Sequence, residues 1–161
     1  MPLIQPCLYF ERRGEILHAL ILALHEDPKN SVDVSKCLEE SGHSVILVKT
    51  FTEAIRIVQE KHVDLIISDV HLENGGNVFD FLRWVRKNPA SKETPFVLFS
   101  STPTPVAKYF EDGLKTTARM LGAAMYISME IFDAKEFRKK IDSLLPPVDP
   151  VLELSPQKIG E

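Results

Sequence analysis

The chain has 161 residues, a formal net charge of −4, and 44% apolar and 26% charged residues. This length suits one domain with a full core, and the acidic balance argues against electrostatic binding to nucleic acid. The longest apolar run, at 16–24, is shorter than the roughly 20 residues that span a bilayer, so we expect no membrane segment there. Cys7 and Cys37 lie too far apart for a metal knuckle or a redox pair. Reduced thiols in a cytoplasmic protein are the simplest interpretation.

Apolar runs and amphipathic stretches alternate along the chain. Strands are predicted at 19–24, 45–48, 63–69, 96–99 and 124–127. Helices are predicted at 31–41, 51–61, 78–86, 106–121 and 133–145. Candidate caps are Asn30, Ser31 or Asp27 for the first helix, Thr50 for the second and Asp133 for the last. This alternation predicts an α/β fold, a doubly wound five-stranded parallel sheet with helices on both faces.

The alternating pattern predicts one domain at 18–145 and leaves a segment at each end of the chain. Residues 1–17 are interpreted as an N-terminal extension that could add a strand or mediate a homodimer. Residues 146–161 contain four prolines and are interpreted as a mobile C-terminal tail. No second domain is expected.

Polar side chains follow three of the predicted strands. His25, Glu26 and Asp27 come after the first strand, Asp69 ends the third, and Ser100 follows the fourth. In the doubly wound order 2-1-3-4-5 these strands are neighbours, and ligands gather at their carboxyl ends. Carboxylates on adjacent strands can share Mg²⁺, which takes one or two carboxylates together with waters and a phosphate group. The arrangement suits a carboxylate that attacks phosphorus and becomes an acyl phosphate.

These features, in this order, resemble the receiver domain of response regulators, the CheY-like family, over about residues 18–145. The resemblance rests on the acids and Pro28 after the first strand and on segments 64–69, 81–83, 95–101 and 121–126. It implies that Asp69 is the phosphoacceptor and that Ser100 hydrogen-bonds the phosphoryl group. It also implies that Tyr126 is the aromatic residue that moves with the switch.

The resemblance further implies a Mg²⁺ site at the same strand ends. Glu26 and Asp69 would bind the ion through their carboxylates and His71 through its backbone carbonyl, with His25 at the position of the family's second acid. His25 and His71 also leave open a site for Zn²⁺, Mn²⁺ or Fe²⁺ together with the two carboxylates.

Several positions depart from the family pattern. Met129 stands where the family has a lysine, and Glu130 stands where a proline is usual. Methionine offers neither a charge nor a good donor to the phosphoryl group. His25 removes one negative charge from the pocket, and the stretch between Ser100 and Tyr126 is longer than in the family. Because of these departures, the sequence does not decide whether Asp69 is still phosphorylated.

The resemblance implies a single-domain response regulator in a two-component phosphorelay, and not an enzyme beyond self-catalysed phosphotransfer or dephosphorylation. A histidine kinase or phosphotransfer protein would phosphorylate Asp69, and a downstream protein target would bind the altered surface. The alternative is a phosphorylation-independent pseudo-receiver that acts as a protein-binding module. An enzyme on a similar sheet is disfavoured, because no glycine-rich phosphate loop and no DxD motif after the first strand are present.

Overall fold

A five-stranded parallel sheet forms the centre of the molecule. The computed structural model of the chain describes residues 18–70, 76–101 and 105–146. The strands are β1 (Leu20–Leu24), β2 (Ser44–Val48), β3 (Leu65–Asp69), β4 (Phe96–Ser101) and β5 (Met125–Met129). Their order is β2-β1-β3-β4-β5, and every neighbouring pair is parallel. The predicted fold class and strand order are therefore confirmed.

Helices cover both faces of this sheet. In the described residues they are α1 (Pro28–Glu40), α2 (Phe51–Glu60), α3 (Val78–Lys87), α4 (Pro105–Tyr109), α5 (Glu111–Met120) and α6 (Ala134–Asp142). Buried side chains of α1 and α6 pack with one set of strand residues, and those of α2, α3 and α5 pack with the other set. The three central strands are covered on both sides, which explains why their sequences are almost continuously apolar.

Side chains alternate between the two faces along each strand, and this alternation divides the functional candidates. Ile67, Phe99 and Ile127 belong to the cluster under α1 and α6, whereas Ile66 and Leu98 belong to the cluster under α2, α3 and α5. Odd-numbered positions of β3, β4 and β5 therefore share the α1/α6 face. Asp69 and Met129 are on that face by this count, and Ser100 and Tyr126 are on the opposite one.

Of the three candidate caps of the first helix, the structure uses Asp27, so the helix begins earlier than Asn30 or Ser31 would place it. Asp27 is the N-cap, since its carboxylate accepts a hydrogen bond from the Lys29 N–H at 2.9 Å, and Pro28 occupies the first helical turn. The predicted caps of the second and last helices are confirmed. Thr50 accepts from the Glu53 N–H at 3.2 Å, and Asp133 accepts from the Glu136 N–H at 3.1 Å.

The single helix predicted at 106–121 is wrong, because the structure divides it into α4 and α5. The division falls at Phe110, whose backbone has φ −93° and ψ 2° and whose side chain is exposed. Glu111 and Asp112 then lie in the first turn of α5, where acidic side chains favour the start of a helix. Gly113 weakens helical continuity in the same turn. The spacing of apolar residues alone does not predict this second helix start.

The predicted N-terminal extension, the C-terminal tail and Cys7 lie outside the described residues. Cys37 is a free, buried thiol, and burial raises its pKa. None of the helices in the described part of the chain has the length and apolar character needed to cross a bilayer.

Candidate functional site

Asp69 is the last residue of β3 and lies between the two neighbouring central strands. It pairs in register with Phe99 of β4, and the residue before it, Ser68, pairs with Leu24 of β1. The carboxyl ends of β1, β3 and β4 therefore meet around this side chain, as predicted. Asp69 is nevertheless buried, with 7% of its surface exposed.

Both carboxylate oxygens of Asp69 accept hydrogen bonds from the residues that follow β1. The Nδ1 atom of His25 lies 2.6 Å from Oδ1, and the backbone N–H of Glu26 donates to Oδ2 at 3.2 Å. Because a carboxylate oxygen accepts, the His25 proton in this contact is on Nδ1. Two consecutive residues thus hold Asp69, one through its side chain and one through its main chain. We call this pair of contacts the His25–Glu26 clamp.

The imidazole ring of His25 is part of the core rather than a group at the surface. Its side chain has no exposed surface, and its ring meets that of Phe99 edge-on at a centroid distance of 6.0 Å. Phe99 in turn packs against Phe132 at 6.2 Å and against Phe137 of α6 at 5.5 Å. The Nε2 atom of His25 has no hydrogen-bond partner among the described residues. The ring is therefore held by Asp69 on one side and by aromatic packing on another.

Ser100 and Tyr126 form a second group on the opposite face of the sheet. Ser100 is buried, and Tyr126 is half-buried with Lys115 Nζ 5.7 Å from the centre of its ring. Burial raises the pKa of the Tyr126 phenol, and a hydrogen bond with the Ser100 side chain lowers it in part. The structure thus brings together the two residues predicted to form the switch, one strand away from the clamp.

The position predicted to lack the family's lysine contributes apolar packing. Met129 ends β5, pairs in register with Ser101, and packs partly buried against the cluster under α1 and α6. The next residue, Glu130, forms an ion pair with Lys108 of α4. Asn30 of α1 donates a hydrogen bond to the Ser101 hydroxyl, which ties α1 to the end of β4.

The residues around Asp69 do not fit Mg²⁺ in this arrangement. Mg²⁺ requires oxygen ligands in a near-octahedral shell at about 2.0–2.1 Å. Here the ring at position 25 directs a donor at Asp69 where a metal site needs another ligand oxygen, and each Asp69 oxygen accepts one hydrogen bond. In the described part of the chain no group of three or more His, Cys, Asp or Glu side chains is placed to hold a metal ion. The transition-metal alternative includes His71, which lies outside the described residues, so it stays a prediction.

Comparison with known families identifies a match that extends over most of the chain. The model of the family described as "Response regulator receiver domain" matches residues 21–142. The chain belongs to the response regulator receiver domain family. The resemblance inferred from the sequence is confirmed, and receiver domains are signalling modules of two-component systems.

Solved receiver structures share this fold. The chemotaxis response regulator CheY4 of Vibrio cholerae is 26% identical, with a TM-score of 0.68 over 80% of this chain and 100% of that one. The receiver domain of the sensor histidine kinase PA1611 from Pseudomonas aeruginosa PAO1 is 19% identical, with a TM-score of 0.65 over 80% and 98% of the two chains. That receiver domain was determined with a magnesium ion coordinated in its active-site cleft.

A curated relative is the probable histidine kinase 1 of Oryza sativa subsp. indica. It is 40% identical over 52 residues, which make up 32% of this chain and 5% of that protein. The match therefore spans a small part of the kinase, and the activity of the whole kinase does not transfer with it.

Sequence reasoning identified most of the residues at this site but not their contacts. It placed the Glu26 carboxylate among the metal ligands, which stays a prediction, and it did not foresee that the Glu26 backbone N–H holds Asp69. It treated His25 as the replacement of an acid and did not foresee that the ring forms a direct hydrogen bond to Asp69. It did not single out Phe99, which supports that ring. The available signal was a histidine directly after β1 and an aromatic residue one position before Ser100.

Proposed function

We propose that this receiver domain acts as a phosphorylation-independent protein-binding module in two-component signalling. The observation that carries the proposal is the buried 2.6 Å contact between His25 Nδ1 and Asp69 Oδ1. The position that the family uses for chemistry is here part of a closed hydrogen-bonded pair. The side chain of His25 is 0% exposed and that of Asp69 is 9% exposed, so water competes little for this hydrogen bond.

Phosphoryl transfer to a carboxylate requires features that this pocket lacks. The attacking oxygen must be nucleophilic, and the charge that builds on the phosphoryl oxygens needs a cation or donors aimed at it. Each Asp69 oxygen accepts a hydrogen bond, which lowers its nucleophilicity, and Met129 supplies no charge in place of the usual lysine. These substitutions support a role in which Asp69 serves structure and not transfer.

The segment from α4 to the end of β5 supports a role in protein contacts. Among the described residues, seven large apolar side chains are exposed, and five of them lie in this segment or just after it. They are Val106, Tyr109, Phe110, Met120 and Ile131. Exposed apolar side chains are typical of interaction surfaces where they form a patch, and the rings of Tyr109 and Phe110 are in contact, with centroids 5.1 Å apart. We propose that the partner is a histidine kinase, a phosphotransfer protein or a downstream target. The free thiol of Cys37 supports a cytoplasmic location.

The second candidate is the phosphoacceptor function itself, with Mg²⁺ on Glu26 and Asp69. The position of Asp69 at the end of β3 and the paired Ser100 and Tyr126 favour it. In that reaction an Asp69 oxygen would form a bond to phosphorus as the donor's bond to phosphorus breaks, and the donor would leave with that electron pair. His25 would first have to release Asp69.

Labelling with a small-molecule phosphodonor separates the two candidates. The wild-type protein and an Asp69→Asn variant are incubated with acetyl phosphate, each with and without Mg²⁺, and intact masses are measured. An ordinary receiver such as Vibrio cholerae CheY4 is labelled in parallel as the positive control. We expect no added phosphoryl mass on the wild type. A mass increase that needs Asp69 would support the second candidate instead.

A further inference from the structure

We propose that His25 takes the place of the divalent cation in this pocket, and that this one residue prevents Mg²⁺ from binding at Asp69. The ring donates to Asp69 Oδ1 from the position at which the family has a metal-binding acid. The inference deepens the proposed function, because it names the residue that closes the phosphoacceptor site. It can also fail separately from that function.

Residue 25 supplies a donor where a metal site needs an acceptor. A carboxylate there would add a ligand oxygen and a negative charge, both of which favour a hard divalent cation. The imidazole instead points an N–H at the carboxylate that the cation would share, 2.6 Å away. The neighbouring Glu26 N–H donates to the other oxygen at 3.2 Å. The His25–Glu26 clamp therefore gives each Asp69 oxygen a hydrogen-bond donor without any ion.

The ring cannot readily turn aside to admit an ion. Its side chain has no exposed surface, and its edge-on contact with Phe99 belongs to an aromatic group that includes Phe132 and Phe137. The backbone is fixed as well, since the His25 N–H donates to the Val48 carbonyl of β2 at 3.1 Å. Moving the ring would break the buried hydrogen bond and leave a polar group unpaired in the core.

A single substitution should convert the site. In His25→Asp the donor is replaced by a carboxylate beside Glu26 and Asp69, so the pocket gains the ligands that it lacks. We expect saturable Mg²⁺ binding in this variant, at least roughly tenfold tighter than in the wild type, because ligand charge tunes such sites over decades. The double variant His25→Asp/Asp69→Asn should lose this binding, which would place the ion at Asp69.

The experiment is a titration of ¹⁵N-labelled protein with MgCl₂, followed by backbone amide shifts of Glu26 and Asp69. The wild type should show no saturable shift at these amides over the millimolar range. Saturable shifts in the wild type would overturn the proposal, and this arm does not depend on the folding of any variant. Folded His25→Asp protein that gains no binding would overturn it as well.

Phosphodonor labelling and Mg²⁺ titration together separate the role of His25 from the loss of phosphorylation. Labelling of wild-type Asp69 without Mg²⁺ would end the proposed function but leave His25 in the role of the cation. Labelling that requires Mg²⁺, together with saturable Mg²⁺ shifts, would end both. Absence of labelling with saturable Mg²⁺ shifts would end only the inference.

Discussion

Two buried histidines face aspartates at opposite ends of the sheet, and they are held in different ways. His25, after β1, has its Nδ1 atom 2.6 Å from Asp69 at the carboxyl end. His43, before β2, accepts a hydrogen bond from the Ala19 N–H at 3.1 Å, and its Nε2 atom is 3.9 Å from Asp142 at the amino end. His43 thus forms its hydrogen bond with the main chain, whereas His25 forms its hydrogen bond with the carboxylate of Asp69. Both residues are buried histidines, so residue type and burial do not distinguish their roles. The hydrogen-bond partner of each ring does distinguish them.

The largest expected effect comes from removing the aromatic support of His25. Phe99→Ala should lower the free energy of unfolding by about 3–5 kcal/mol, the usual range for loss of a buried phenylalanine ring. Phe96→Ala is the matched control, because Phe96 is fully buried on the same strand but packs on the opposite face. Urea unfolding measures both changes.

The milder pair Phe99→Leu and Phe96→Leu should separate the two faces of the sheet. Phe99→Leu, and not Phe96→Leu, should speed hydrogen exchange at His25 Nδ1, because Phe99 contacts that ring and Phe96 packs on the opposite face. Equal acceleration in both variants would mean that the ring is not specifically supported by Phe99.

A smaller effect is expected from removing the carboxylate at each end of the sheet. Asp69→Ala leaves the buried His25 donor without its partner and should cost about 1–3 kcal/mol in urea unfolding. Asp142→Ala should change stability by less than about 0.5 kcal/mol, since Asp142 is partly exposed and 3.9 Å from His43 Nε2. Similar losses in both variants would remove the distinction between the two histidines.

The amino end of the sheet should make stability depend on pH. Burial lowers the pKa of His43 below its usual 6.5, and His18 lowers it further, while Asp142 and Asp64 raise it in part. The unfolded chain therefore binds this proton more readily than the folded chain. The contribution of His43 is fully present above about pH 6.5 and is lost as the pH falls below that value.

Urea unfolding between pH 5 and pH 8 tests this dependence in wild-type and His43→Gln protein. The variant should show a weaker fall in stability toward low pH than the wild type. Curves of equal slope would assign the pH dependence to other groups.

Much of the fold was predictable, because strands and helices are encoded locally. The β-branched run before Asp69 predicted a central strand, and the caps Thr50 and Asp133 predicted helix starts that the structure confirms. The break at Phe110 was missed, since apolar spacing continues through it while the backbone turns. Contacts at the site were harder to predict. Whether His25 faces solvent, a metal or Asp69 depends on the packing of Phe99, 74 residues away in sequence.

The roles assigned to His25 and Asp69 depend on one contact, the hydrogen bond that His25 Nδ1 donates to Asp69 Oδ1. Long-range ¹H–¹⁵N correlation spectroscopy of the histidine rings measures this directly, with Asp69→Ala as the reference. We predict a protonated His25 Nδ1 with a downfield, slowly exchanging proton in the wild type, which disappears in the variant. An unprotonated Nδ1, or a His25 spectrum unchanged by Asp69→Ala, would contradict the account.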